Sequence, residues 1–150
     1  MIDMRQADLE YIRLLNDLIT GGCLRIAELK SKAYPGAITY DDTGGSHPAP
    51  TNVIEEVFCQ IDEEEKRINK LIDKRYRLKC QALREIQNSG LECAARHIMY
   101  LRYLSVDPVS HQNLEWQQAR KYIEKYHNIS ERHIRRLHHI ALDKMSRYKI

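Results

Sequence analysis

Near the end of this chain Arg132, Arg136 and His139 follow one another at four- and three-residue steps, with His133 and Arg135 between them. At about 100° per residue, Arg132, Arg136 and His139 share one side of a helix and Arg135 sits at its edge. Ile134, Leu137, Ala141 and Met145 fall on the other side. Guanidinium groups in a row suit the bidentate recognition of anionic oxygens and of the O6 and N7 edge of guanine. A helix that buries one face and presents arginines on the other matches a DNA recognition helix. The plainer alternative is a solvated basic face.

In that arrangement Arg132 and Arg136 reach base edges, Arg135 reaches a phosphate, and His133 and His139 reach either. Ser130, just before Glu131, is a helix-start signal and can also offer its hydroxyl or amide to a phosphate. Arg120, Lys121 and Lys125, upstream, are expected to meet the DNA backbone, although solubility explains the two lysines equally well. His138 lies near the apolar arc between Ile134 and Leu142 and is expected to be packed and hydrogen-bonded. Trp116 and Tyr122 are expected to be packing groups.

Other chemistries find less support. His133, His138 and His139 do not converge on one ion, and no Cys or carboxylate stands at partner spacing, so no metal or cofactor is expected. Cys23, Cys59, Cys80 and Cys93 are scattered without a C-x-x-C pair and read as reduced thiols within helices. There is no P-loop and no G-x-S-x-G elbow. The acidic run at 62–65 is interleaved with Lys66, Arg67 and Lys70 at helical spacing, which is surface ion pairing. The chain is not expected to be an enzyme.

Charge is unevenly divided. Residues 1–90 carry 13 Lys and Arg against 15 Asp and Glu, whereas residues 91–150 carry 11 against 6 and six of the seven histidines. This asymmetry points the C-terminal part at a polyanion. No apolar run approaches a membrane span and residues 1–10 lack the order of a signal peptide, so a cytoplasmic location without membrane contact is expected.

The elements that must position these residues are helical. Residues 6–33 repeat apolar groups near heptad spacing, with Gly21-Gly22 expected to kink or split the helix. Residues 34–51, rich in Pro, Gly, Asp, Thr and Ser, read as a loop. Asn52, with Glu55 three residues on, is expected to cap a helix of some 36 residues, about 54 Å long, that ends at Gly90. Its apolar seam, Ile54 to Ala82, is interrupted by Glu64 and Arg75. An antiparallel intramolecular hairpin fits best, with homodimerisation through the long helix as an addition. A helix to about Ser105 follows, then a polar connector, and a helix marked by Trp116, Ala119, Ile123 and Tyr126. A turn at 127–129, with Asn128 suited to the left-handed conformation, precedes the basic helix.

Taken in order, Leu101-Arg102-Tyr103-Leu104, Trp116, Ser130-Glu131-Arg132-His133-Ile134, Arg136-Leu137-His138 and Ala141-Leu142 resemble the C-terminal part of phage transcription regulators of the ArpU and RinA type. The ends of those proteins look like region four of sigma factors. The resemblance extends upstream to Lys30-Ser31-Lys32-Ala33, the Gly-rich loop and the helix from Ile61 to Asp73. It implies a regulator that binds a promoter, engages host RNA polymerase and switches on late, packaging genes. Here Asn128 stands where glycine is usual in that family, and the second helix looks about one turn longer.

The expectation is an all-α protein with a coiled-coil-like helical hairpin at 1–90 and a sigma-region-4-like helix-turn-helix at 91–150. Its expected function is sequence-specific binding of double-stranded promoter DNA. The alternatives are a small terminase-like packaging component and a coiled-coil interaction module that does not bind DNA.

Overall fold

The computed structural model describes residues 6–33 and 51–147 and consists of helices: α1 (Gln6–Ala33), α2 (Thr51–Asn88), α3 (Cys93–Met99), α4 (Trp116–His127) and α5 (Glu131–Arg147). A π-helical turn, Tyr100–Leu104, extends α3. Among the described residues the only β pairing is one bridge between Val106 and Asn113, and no helix is long and apolar enough to cross a membrane. The loop expected at 34–51 and the capping side chain of Asn52 lie outside the described residues, apart from Thr51, which opens α2.

The chain divides into two compact units, Met1–Asp17 with Asp73–Ile150, and Leu18–Ile72. The division differs from the expected boundary at Gly90. Its physical reason is that the first half of α1 and the second half of α2 share a core with the C-terminal helices rather than only with each other.

In the unit Leu18–Ile72, Leu29 and Ala33 of α1 cluster with Val57 and Ile61 of α2. Gly22 meets Ile68 and Glu64. Moving up α1 therefore moves down α2, as an antiparallel hairpin requires. Glu64, which breaks the apolar seam, is buried and bonded to Arg67 one turn later. That hydrogen bond, with the nearby charge, holds the Glu64 carboxyl below its usual range.

Gly21 and Gly22 do not split α1, which runs unbroken through both. A Cβ on Gly22 would come within 2.7 Å of Ile68 Cγ1 and 3.2 Å of Glu64 Oε1, whereas one on Gly21 would meet nothing within 4 Å. The first glycine is thus a cost in helix propensity alone, and the second permits close approach of the two helices. Gly21→Ala is expected to stabilise the protein by up to about 1 kcal/mol. Gly22→Ala is expected to destabilise it by about 1–3 kcal/mol. Urea unfolding of both variants checks the opposite signs.

The other unit has one continuous core. Leu9 and Ile12 of α1, Ala82 and Ile86 of α2, Ala95, Ile98 and Met99 of α3, and Tyr103 and Leu104 of the π turn all join it. Ile123 of α4 and Ile134, Leu137, Ala141 and Met145 of α5 complete it. Gly90, with φ +71°, turns the chain out of α2, as its place after Ser89 suggested.

Two arginines finish the C-terminal end of the α3 extension. Ser105 N donates to Tyr100 O across five residues. Arg13 Nη1 donates to the carbonyls of Arg102 and Leu114, and Arg75 Nη2 donates to Leu104 O at 3.2 Å. Arg75, the second break in the seam, therefore satisfies a carbonyl that a helix end leaves bare, at the pole where a cation is favoured. The connector is tied to α1 as well. Asn113 Nδ2 donates to Arg13 O and Asp17 Oδ1, and Asn16 Nδ2 donates to His111 O.

Candidate nucleic-acid interface

Glu115 and Gln118 form a reciprocal capping box at the start of α4: the Glu115 side chain accepts from the backbone at Gln118, and Gln118 Oε1 accepts from Glu115 N at 3.1 Å. The helix ends at Asn128, which adopts the left-handed conformation (φ 53°, ψ 47°), as its residue type suggested. Ile129 turns back onto the core. Ser130 Oγ then accepts from His133 N at 3.3 Å, the N-cap expected of it.

The turn from α4 to α5 is braced by charge. A single oxygen of Glu131, Oε1, receives Arg120 Nη1 from α4 at 2.6 Å and Arg135 Nη2 from the next turn of α5 at 2.7 Å. Arg120 also approaches Glu124 at 3.6 Å, and its side chain is only 20% exposed. Arg120 and Arg135, both expected at phosphates, are thus engaged within the protein: Arg120 ties α4 to the first turn of α5, whereas Arg135, 62% exposed, pairs within α5.

The remaining candidates are free of such partners. Arg132, Arg136, His133 and His139 on α5 and Lys121 and Lys125 on α4 are exposed and have no ion-pair partner among the described residues. Ser130 is exposed too, its Oγ serving the cap. Ile134, Leu137, Ala141 and Met145 are buried behind them. On the outward side of α5, Asp143 follows His139 one turn on, so the cationic row is confined to the N-terminal half of the helix. The chain matches no family model, no curated protein and no solved structure with which it was compared.

Behind the row, His138 is set among aromatics. Its Nε2 shares a 2.7 Å hydrogen bond with the Tyr103 hydroxyl. Its ring lies 5.7 Å from that of Tyr103 and 5.1 Å from that of Trp116. Arg102 stands over both of those rings. Burial, then the Arg102 charge, pushes the His138 imidazole down to about 4. Burial likewise pushes the Tyr103 hydroxyl up to about 12. The expected packed histidine is thus present, and it is neutral at pH 7.

A histidine whose folded value lies below its ordinary 6.5 contributes stability that is complete above 6.5 and is lost as pH falls toward 4. With allowance for its partial contact with solvent, His138 is expected to account for about 1–2 kcal/mol of lost unfolding free energy across that window. Denaturation of the protein and of His138→Gln at pH 7 and pH 4.5 checks this, since the variant lacks that part of the slope.

Trp116 packs as expected, but Tyr122 and Tyr126 do not. They are 59% and 77% exposed, because the buried stripe of α4 is narrow and both rings fall on its flank. Sequence reasoning also missed a pair at the far end of α4. His97 Nδ1 of α3 and His127 Nε2 stand 3.0 Å apart in a hydrogen bond, with the Tyr126 ring edge-on to both. Thirty residues separate the two histidines, so no local pattern signals them. Among the described residues no three His, Cys, Asp or Glu side chains converge as a metal ion would need.

Proposed function

We propose that this chain is a sequence-specific, double-stranded DNA-binding transcription regulator in which α4 and α5 form a helix-turn-helix and α5 enters the major groove. The carrying observation is that Arg132 and Arg136 are exposed and unpaired on the N-terminal half of a helix whose other face is buried. Recognition helices present their N-terminal half to base edges, and bidentate arginine–guanine contacts supply the discrimination. Lys121 and Lys125 then grip phosphates, which makes binding salt-dependent. His133 and His139 add contacts to a base edge or phosphate, and Ser130 lies where the helix start favours an anion.

The order of motifs that resembles the ArpU- and RinA-type regulators supports the finer reading, a sigma-like activator of phage late genes acting in the bacterial cytoplasm. The helical hairpin would then engage host RNA polymerase or a second copy of the chain.

The test is binding of the purified protein to tiled fragments of the DNA flanking its own gene, at about physiological salt with competitor. Retention of one upstream fragment supports a promoter-reading regulator. Weak binding spread evenly over all fragments overturns sequence-specific reading.

A further inference from the structure

We infer that His97 and His127 form a proton-controlled latch on the turn that leads into α5, so that acidification loosens the DNA-reading helix. This inference deepens the proposed function and rests on it. The hydrogen bond between the two rings, at 3.0 Å, needs one nitrogen with a proton and one without. Two neutral rings satisfy this, and so does one charged ring beside a neutral one. Two imidazolium rings would face N–H to N–H and must separate.

The surroundings make the pair sensitive to its own proton count. Tyr126 lies edge-on to both rings. Cys93 stands one turn before His97 on α3, and Glu124, one turn before His127 on α4, is approached by Arg120. Among the described residues, the charged group that acts on His97 is His127. Burial first, and then that neighbour, hold His97 below the usual histidine value. His127 occupies the last turn of α4, where the helix end favours a cation. A first proton on either ring leaves the bond intact, and a second, which puts a charge on both rings, breaks it. The latch is closed above the ordinary histidine value and opens as pH falls through the lowered value of His97.

What the latch holds is the start of α5. His127 is the last residue of α4, and only Asn128, Ile129 and Ser130 separate it from Glu131. Release of His127 frees the end of α4 from α3, and with it the Ser130 cap and the position of Arg132.

The test follows the full-length chain from pH 7.5 to 5.0 with two readouts. The first is the NMR titration of both imidazoles, together with amide exchange at residues 127–132. The second is affinity for the preferred DNA fragment at fixed ionic strength. His127→Gln, whose amide reaches the Nε2 position and does not titrate, is the reference, and His97→Asn is a second one. Any other effect of acidification on DNA binding is common to wild type and variants, so the ratio of wild-type to variant affinity isolates the pair.

Two separate titration steps are expected. Exchange at 127–132 should rise below the lower step in the wild type alone, with a three- to tenfold loss of affinity relative to the variants. Independent titration with unchanged exchange overturns the latch. Separate steps with a flat affinity ratio overturn its coupling to DNA. The expected NMR behaviour in a protein that binds no fragment at any pH overturns the DNA reading and leaves the latch standing.

Discussion

Replacing Arg132 and Arg136 together by alanine is expected to lower affinity for the preferred DNA fragment by about 10²–10⁴-fold, since each bidentate base contact is worth about 1–3 kcal/mol. Both side chains are exposed and unpaired among the described residues, so the variant should fold with a stability within about 0.5 kcal/mol of the wild type. Binding to unrelated DNA should fall much less, which compresses the ratio of specific to non-specific affinity. Lys121→Ala and Lys125→Ala form the contrast. Phosphate contacts carry no sequence information, so each should weaken all fragments alike and reduce the salt slope by about one. Equal losses on every sequence from the arginine pair would assign those residues to the backbone and remove the base-reading role.

Ile134→Ala is expected to cost about 2–5 kcal/mol of unfolding free energy. Ile134 is fully buried between Arg132 and Arg136 on α5 and joins the core shared by all five helices. Removing three methyl or methylene groups there leaves a cavity that rigid neighbours on α3 and α4 cannot close. For a chain of this size the change corresponds to a fall of roughly 5–20 °C in Tm. Ile134→Val should cost only about 0.5–1.5 kcal/mol. Thermal unfolding of the two variants checks both the magnitude and the ranking.

Much of the architecture was legible because it is set locally. The apolar spacing marked α1, α2 and α5, and Gly90, Asn128 and Ser130 marked ends whose chemistry involves only a few neighbouring residues. The readings that failed depended on distant partners. Gly22 makes sense only with Ile68 across the hairpin; the break in the seam at Arg75 was visible, but its partner, the carbonyl of Leu104, was not.

The candidate interface divides in the same way. The exposed and buried faces of α5 follow from its helical period, and so does the packed state of His138. The pairing of Glu131 with Arg135 one turn on follows from it too, but the engagement of Arg120 by the same oxygen does not, because that depends on how α4 and α5 meet. Tyr122 and Tyr126 misled because an aromatic at helical spacing resembles a core residue until the width of the buried stripe is known.

If α5 reads DNA as proposed, the aspartate that ends its cationic row also limits how much sequence one copy of the chain can distinguish. Seven residues separate Arg132 from His139, which is about 10 Å of helix. Along a duplex that rises about 3.4 Å per base pair, such a row spans roughly three base pairs. A word of three letters recurs about once in every 64 positions, far too often to mark one promoter in a genome. Under the proposed function, the information needed for a unique address would therefore be supplied jointly, by a second copy on a neighbouring half-site or by a polymerase already reading its own element. On this account, α5 works as one syllable of a longer word.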